Sequence, residues 1–192
     1  MSHKKDKIRN ISKTNREALK KDFIEQASND ISQKIITSKY FKDANNIGCY
    51  LSTEYEVSTD IIINSVHKKN KNLYVPKIKQ GHAMDFVRMT LTSDIVKNKY
   101  GINEIDDNGS YIALERFNTV FIPFVGVDKK GFRLGYGGGY FDRALEKVKL
   151  CASKPLIVGM GYDYQILDIS YGESHDMKYD IVITESRILS YK

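Results

Sequence analysis

The stretch RLGYGGGYFDR, from Arg133 to Arg143, gathers residue types that phosphate chemistry uses. Gly135, Gly137, Gly138 and Gly139 occupy four of five positions. Such bare backbone lets successive amides curl around phosphate oxygens with no Cβ in the way. Arg133 carries a forked guanidinium able to clamp a phosphate from the edge. Asp142 offers a carboxylate for Mg²⁺, which keeps several waters and takes one or two carboxylates together with phosphates. A flexible linker would need the glycines but not the rings of Tyr136, Tyr140 and Phe141, and a packed core would need the rings but not the glycines. Known fingerprints do not fit. There is no Gly-Lys-Ser/Thr for a Walker A loop, and a G-x-G-x-x-G pattern begun at Gly135 ends on Tyr140. A tight turn with glycines for packing is the other reading of the stretch; a phosphate-binding loop is the one the combined residue types favour.

Such a loop works when a buried strand precedes it and a helix follows, because ligands in open α/β sheets sit beyond the carboxyl ends of strands. NTVFIPFVGV (118–127) has the apolar, β-branched and aromatic content of a strand buried on both faces, ending near Pro123. YFDRALEKVK, beginning at Tyr140, reads as the helix. Further strands are expected in NIGCYLS (46–52), NLYVPKI (72–78), MDFVRMT (84–90), PLIVGMGY (155–162) and DIVITE (180–185), the second and third turning at Gly81. Ser58 or Thr59 can cap a helix through TDIIINSVHKK. The chain to Lys39 reads as helical, with Thr14-Asn15-Arg16-Glu17 as a capping box, Ser12 as an alternative start, and Ala18, Leu19, Phe23, Ala27, Ile31 and Ile35 as an apolar stripe. Residues 91–116 show no clear period. Strands alternating with helices predict a single three-layer α/β domain over 1–192, with a mostly parallel sheet and a basic helical segment at 1–39.

Composition sets the outer bounds. The chain has 192 residues, 41% of them hydrophobic, with 13 Gly and three Pro, which excludes collagen-like and low-complexity classes. No apolar run reaches the roughly 18–20 residues of a membrane span. Cys49 and Cys151 form no CxxC pair, so neither a disulfide framework nor a zinc knuckle is expected, and a reducing cytoplasm is the default. The net charge of +6 is local: residues 1–21 hold eight of the 30 Lys/Arg and two of the 24 Asp/Glu, and the remaining 22 of each sign cancel. A basic segment of that kind can bind nucleic acid, supply ligands to a nucleotide, or be a solvated helix.

GFRLGYGGGYFDRAL closely resembles the signature of the 5-formyltetrahydrofolate cyclo-ligase (5,10-methenyltetrahydrofolate synthetase) family. The resemblance runs along nearly the whole chain. KDKIR near the start is similar to the family's Lys-x-x-x-Arg, and YLSTEYEVST (50–59) to its strand and folate-contacting loop. YVPKI and MDFVRM fall where the family has similar strands, and SHDMKYDIVIT (174–184) resembles its late aspartate stretch. The resemblance implies that ATP phosphorylates the formyl oxygen of 5-formyltetrahydrofolate, after which nitrogen 10 closes the ring and expels phosphate, giving 5,10-methenyltetrahydrofolate and ADP. By position it implies ATP contacts at Lys5, Arg9, Arg133, Leu134, Gly135, Tyr136, Gly137, Gly138, Gly139, Tyr140 and Phe141. Folate contacts are implied at Leu51, Glu56 and the loop from Tyr136 to Tyr140, and Mg²⁺ ligands at Asp142 and Asp176. Lys4 or Lys7 stand as alternatives to Lys5, whose spacing to Arg9 puts both on one helical face. A glutamate suits the pterin, whose amino and ring N–H groups can pair with two carboxylate oxygens. The implied enzyme is a cytoplasmic ligase and a monomer, with neither membrane nor nucleic acid as partner. Arg133, as a phosphate clamp, is expected to find its partner only when ligand is bound.

Three stretches depart from the family pattern: Phe141 stands where Tyr is frequent, GINEI (101–105) lacks a proline, and ILDIS (166–170) replaces a Leu-Pro. Other readings of the chain account for less. Ser174-His175-Asp176 cannot form a relay from adjacent positions, and no G-x-S-x-G is present. Histidines at 3, 67, 82 and 175 show no metal-ligand spacing. A nucleic-acid-binding α/β protein using the basic segment, without catalysis, is the principal alternative; an α/β enzyme acting on sugar phosphates or acyl groups is the other.

Overall fold

The computed structural model describes residues 2–106, 109–148, 153–173 and 176–191; Cys151, Ser174 and His175 lie outside the described residues. From the N-terminus, α1 (Ser2–Glu17), α2 (Lys21–Thr37) and the one-turn α3 (Lys39–Lys42) lead into β1 (Asn46–Cys49). α4 (Asp60–Lys68) follows, then β2 (Asn72–Ile78) and β3 (Met84–Met89). A small hairpin of β4 (Ile95–Lys97) and β5 (Asn103–Ile105) precedes β6 (Thr119–Pro123). A second hairpin, β7 (Gly126–Val127) and β8 (Arg133–Leu134), delivers the chain to α5 (Tyr140–Glu146). β9 (Leu156–Met160), β10 (Ile181–Ile183) and β11 (Ile188–Ser190) come last.

Seven of these strands form one sheet in the order β11-β10-β9-β6-β1-β2-β3. The five inner strands pair in parallel, and β3 and β11 close the two edges antiparallel. The expected mostly parallel α/β sheet is thus present. β6 lies at its centre with every residue buried. Alternation along this strand sends Phe121 to one face, with Ile31 and Ile35 of α2 and Ile62 and Val66 of α4. Val120 and Ile122 go to the other, with Leu145 of α5 and Val148 just beyond it. That two-sided burial is why the segment has no exposed polar positions to reveal a period. Pro123 pairs with Met160 as the last residue of the strand.

The N-terminal helical segment differs from expectation. It is two helices, broken at residues 18–20, and Thr14-Asn15-Arg16-Glu17 ends α1 rather than starting a helix. Thr14 donates its hydroxyl to the Asn10 carbonyl one turn back, the usual bond of a threonine inside a helix. Ser12, the alternative start, is buried in mid-helix and donates to the Val125 carbonyl at 2.7 Å. Thr and Glu three apart occur on one face within any helix, so the pattern alone cannot distinguish its start from its end. At α4 the Ser58 hydroxyl accepts from the Asp60 N–H, whereas buried Thr59 makes no side-chain cap.

Candidate functional site

The glycine loop lies between β8 and α5, beyond the carboxyl end of β6. Its conformation requires glycine at specific points: Gly137 and Gly139 have φ of 105° and 64°, a region costly for residues with a Cβ. Gly135 is needed for space. A Cβ there would sit 2.3 Å from Nη1 of Arg133, whose guanidinium crosses the loop. Gly135→Ala is therefore expected to push that guanidinium aside and lower turnover roughly 10²-fold, the usual result of an ångström-scale displacement of a positioning group. Steady-state rates beside a thermal melt check this, with the melt expected to move little. α5 has only seven residues, so an anion held here would rely on loop amides and side chains more than on a helix dipole.

Arg133 is buried and already engaged. Its Nε donates to the Pro123 carbonyl at 3.1 Å, its Nη1 meets Asp142 Oδ2 at 3.3 Å, and its guanidinium lies 5.2 Å from the Phe141 ring centre. The expectation that it acquires a partner only with ligand is corrected: burying a guanidinium without partners is too costly, so the fold supplies them. The Phe141 ring packs beneath this cation and toward Phe86, at 6.5 Å, surroundings that suit an apolar ring.

The two aspartates expected to meet are brought to neighbouring positions. Asp142 Oδ1 accepts from the N–H of Met177, the residue after Asp176. Asp176 Oδ2 accepts from the Glu173 N–H at 2.8 Å and from Lys5 Nζ at 2.6 Å, and Lys5 also reaches Glu173 Oε2 at 3.1 Å. Among the candidate lysines, Lys5 is buried while Lys4 and Lys7 are exposed. Burial opposes its charge, but Asp176 and Glu173 more than offset this and hold its ammonium above the usual lysine range. Among the described residues no three His, Cys, Asp or Glu side chains form a metal cluster. A pair of carboxylates beside a glycine loop nevertheless suits Mg²⁺, which takes its remaining ligands from phosphates and water.

α1 ties these parts together along one stripe. Lys5, Arg9, Ser12 and Arg16 follow at helical spacing, and between them they bond to the Glu173–Asp176 segment, Val125 and the glycine loop. Arg9 Nε donates to the Gly135 carbonyl at 3.0 Å, and its Nη1 meets Asp6 at 2.6 Å. Arg16 lies over the Tyr136 ring, 5.0 Å from its centre, and bonds the Tyr136 hydroxyl. That hydroxyl donates to Glu56 Oε1 at 2.8 Å, while Glu56 Oε2 accepts from the Thr53 N–H. The expected folate acid and the expected ATP loop are thus in direct contact.

Not every candidate side chain faces the site. Leu51 is 8% exposed within the main core, and Leu134 packs with Val125 and Tyr171 beneath the loop. Both side chains are part of the core that frames the site. Tyr140 opens α5, and its hydroxyl lies 3.3 Å from that of Tyr100 in the β4–β5 hairpin. The two other departing stretches are built into the frame. Glu104, within GINEI, accepts from the Ile78 N–H and from Asn98 Nδ2, both at 2.9 Å, and Leu167, within ILDIS, donates its N–H to the Val127 carbonyl at 2.8 Å.

Residues 1–185 match the 5-formyltetrahydrofolate cyclo-ligase family. The chain belongs to that family. A 5-formyltetrahydrofolate cyclo-ligase of Haemophilus influenzae is 32% identical, the match covering 82% of this chain and 86% of the relative. One from Mus musculus is 31% identical over 81% of this chain and 80% of its own. Among solved structures, the Aquifex aeolicus 5,10-methenyltetrahydrofolate synthetase superposes with a TM-score of 0.85 at 25% identity, covering 98% of this chain and 93% of the other. The fold is also that of the Mycoplasma pneumoniae 5,10-methenyltetrahydrofolate synthetase, with a TM-score of 0.75 at 22% identity over 94% and 98% of the two chains.

Three residues of this cyclo-ligase family member escaped the sequence reading. Ser12 and Arg16 continue the Lys5–Arg9 stripe, and that spacing was the available clue. Asp128 had none: it resembles an ordinary turn acid before Lys129-Lys130-Gly131. It is fully buried, Oδ1 accepting from the N–H groups of Lys130 and Phe132 and Oδ2 from those of Tyr171 and Gly172. Burial disfavours its charge, yet these four N–H groups hold its carboxyl below the usual aspartate range. It clamps the β7–β8 hairpin to the segment leading to Glu173 and Asp176.

Proposed function

We propose that this chain uses ATP to convert 5-formyltetrahydrofolate into 5,10-methenyltetrahydrofolate, releasing ADP and phosphate. The observation that carries the reading is the continuous set of contacts Lys5–Asp176, Met177–Asp142 and Asp142–Arg133, with Glu56 reached through the same loop. The formyl oxygen attacks the γ-phosphorus and ADP departs. Nitrogen 10 then attacks the formyl carbon, the C–O bond breaks, phosphate leaves with the oxygen, and nitrogen 10 loses its proton. Such a transfer depends on positioning and on neutralising charge. Lys5, Arg9 and Arg133 supply the cations, and the backbone from Gly135 to Phe141 supplies amide donors around the phosphates. Glu56 orients the pterin through its N–H groups, with Tyr136 to Tyr140 lining the passage between the two substrates. Asp142 and Asp176 would hold Mg²⁺, which shields the phosphate charges of ATP when bound.

The same reading makes the protein a cytoplasmic enzyme of one domain, acting as a monomer on these two substrates without membrane or nucleic acid. Among the described residues no helix is long and apolar enough to cross a membrane. The nucleic-acid alternative loses its footing, because Lys5, Arg9 and Arg16 turn inward onto the site. The test mixes protein, 5-formyltetrahydrofolate, Mg²⁺ and ATP, following methenyl absorbance and ADP together. Coupled appearance of both, dependent on both substrates, is expected; ADP without methenyl product would sink the folate assignment.

A further inference from the structure

Arg16, Tyr136 and Glu56 form a bridge across the folate side of the site. They line a cavity with Phe124, Met160 and Tyr162 of only about 10 Å³. That is room for about one water, and a bicyclic pterin cannot share it with the Tyr136 phenol. Glu56 is likewise occupied: one oxygen holds the Thr53 N–H and the other the Tyr136 hydroxyl. Arg16 is not. Its Nε is buried and has no acceptor among the described residues. A buried guanidinium N–H without a partner is costly, and such groups in a native fold mark a missing acceptor.

We infer that Arg16 is a substrate-binding residue and that the Tyr136 hydroxyl is a placeholder for the pterin. Resting on the folate reading above, the inference follows the edge of the ring. Glu56 takes the amino group and the ring N–H, and the next atom along that edge carries the carbonyl oxygen, an acceptor. A cation one position beyond the carboxylate meets it, and Arg16 stands there, held by its stack on the Tyr136 ring. On binding, the phenol releases Glu56 to the ring N–H groups, and the guanidinium donates to the ring carbonyl. An acid and a cation side by side thus read a donor–acceptor edge, which selects a pterin carrying a carbonyl.

The experiment titrates 5-formyltetrahydrofolate, and separately ATP, into the wild-type chain, Arg16→Met, Arg16→Lys and Tyr136→Phe, with melting curves for each. Arg16→Met keeps the stem over the ring and is expected to weaken 5-formyltetrahydrofolate binding roughly 10- to 100-fold, leaving ATP binding within about twofold. Arg16→Lys, which keeps charge and stem but loses the fork, is expected to fall between wild type and Arg16→Met. Tyr136→Phe keeps the ring and removes the competing hydroxyl, so 5-formyltetrahydrofolate is expected to bind more tightly. Unchanged 5-formyltetrahydrofolate binding in both Arg16 variants would overturn the inference, as would a parallel loss of ATP binding. Weaker binding in Tyr136→Phe would make the phenol a contact rather than a placeholder. A wild-type chain that binds ATP but not 5-formyltetrahydrofolate would overturn the folate reading itself.

Discussion

Replacing Asp142 with Asn is expected to leave the chain folded and to lower ATP-dependent methenyl formation roughly 10²–10³-fold. The carboxylate has two separate tasks, one per oxygen: Oδ2 meets the Arg133 guanidinium and Oδ1 takes the Met177 N–H. An amide of the same size has only one oxygen, so whichever bond survives, an NH₂ faces a donor at the other. With the amide oxygen kept on the Met177 N–H the late segment stays docked and folding is spared, while the NH₂ is turned to the Arg133 guanidinium. The loss falls on the charge that Asp142 and Asp176 together present to a cation, and on the aim of Arg133. Rates measured across Mg-ATP concentrations, with near-UV circular dichroism as a folding control, check the result. Full activity in Asp142→Asn would remove this residue from the site.

Asp128→Ala is expected to be the most damaging single change to stability, costing roughly 3–5 kcal/mol. Four backbone N–H groups converge on this carboxylate, and without it they are left unpaired in a dry interior. Because those bonds lower its folded pKa, its contribution is fully present above the unfolded carboxylate value of about 3.9. It is lost as pH falls from there through the folded value. Denaturant unfolding of both proteins should show a constant gap from neutral pH down to about pH 4, narrowing only in stronger acid. A gap that already closes near pH 6 would contradict a depressed pKa. Turnover is expected to fall as well, because Tyr171 and Gly172, released from Asp128, lead directly to Glu173 and Asp176.

The parts of the fold legible in the sequence were those whose residues serve one purpose. TVFIP of β6 is apolar after Thr119 because both of its faces are covered, and Ala27, Ile31 and Ile35 recur at helical spacing because only one face of α2 is. The glycine loop was legible because few other structures combine bare backbone with rings and opposite charges. Legibility failed where one residue type suits several environments. β4 is exposed at all three positions, so its side chains carry no alternation. Ser12 and Arg16 look like solvent residues until Val125, Tyr136 and Glu56, all distant in sequence, are brought against them. Arg133 was read as waiting for ligand because a sequence does not show that its guanidinium is buried.

The stripe on α1 also bears on how the enzyme is made. Its main anchors, Asp176, Glu173, Gly135, Tyr136 and Val125, lie between 113 and 171 residues further along the chain. During synthesis α1 emerges before all of them: the Val125 anchor follows Ser12 by 113 residues and the Asp176 anchor follows Lys5 by 171. Contacts of such separation bear the largest loop-closure cost and form late. The α1 stripe is therefore expected to close over the glycine loop and the Glu173–Asp176 segment late in folding, so that Ser12→Ala speeds unfolding more than it slows folding.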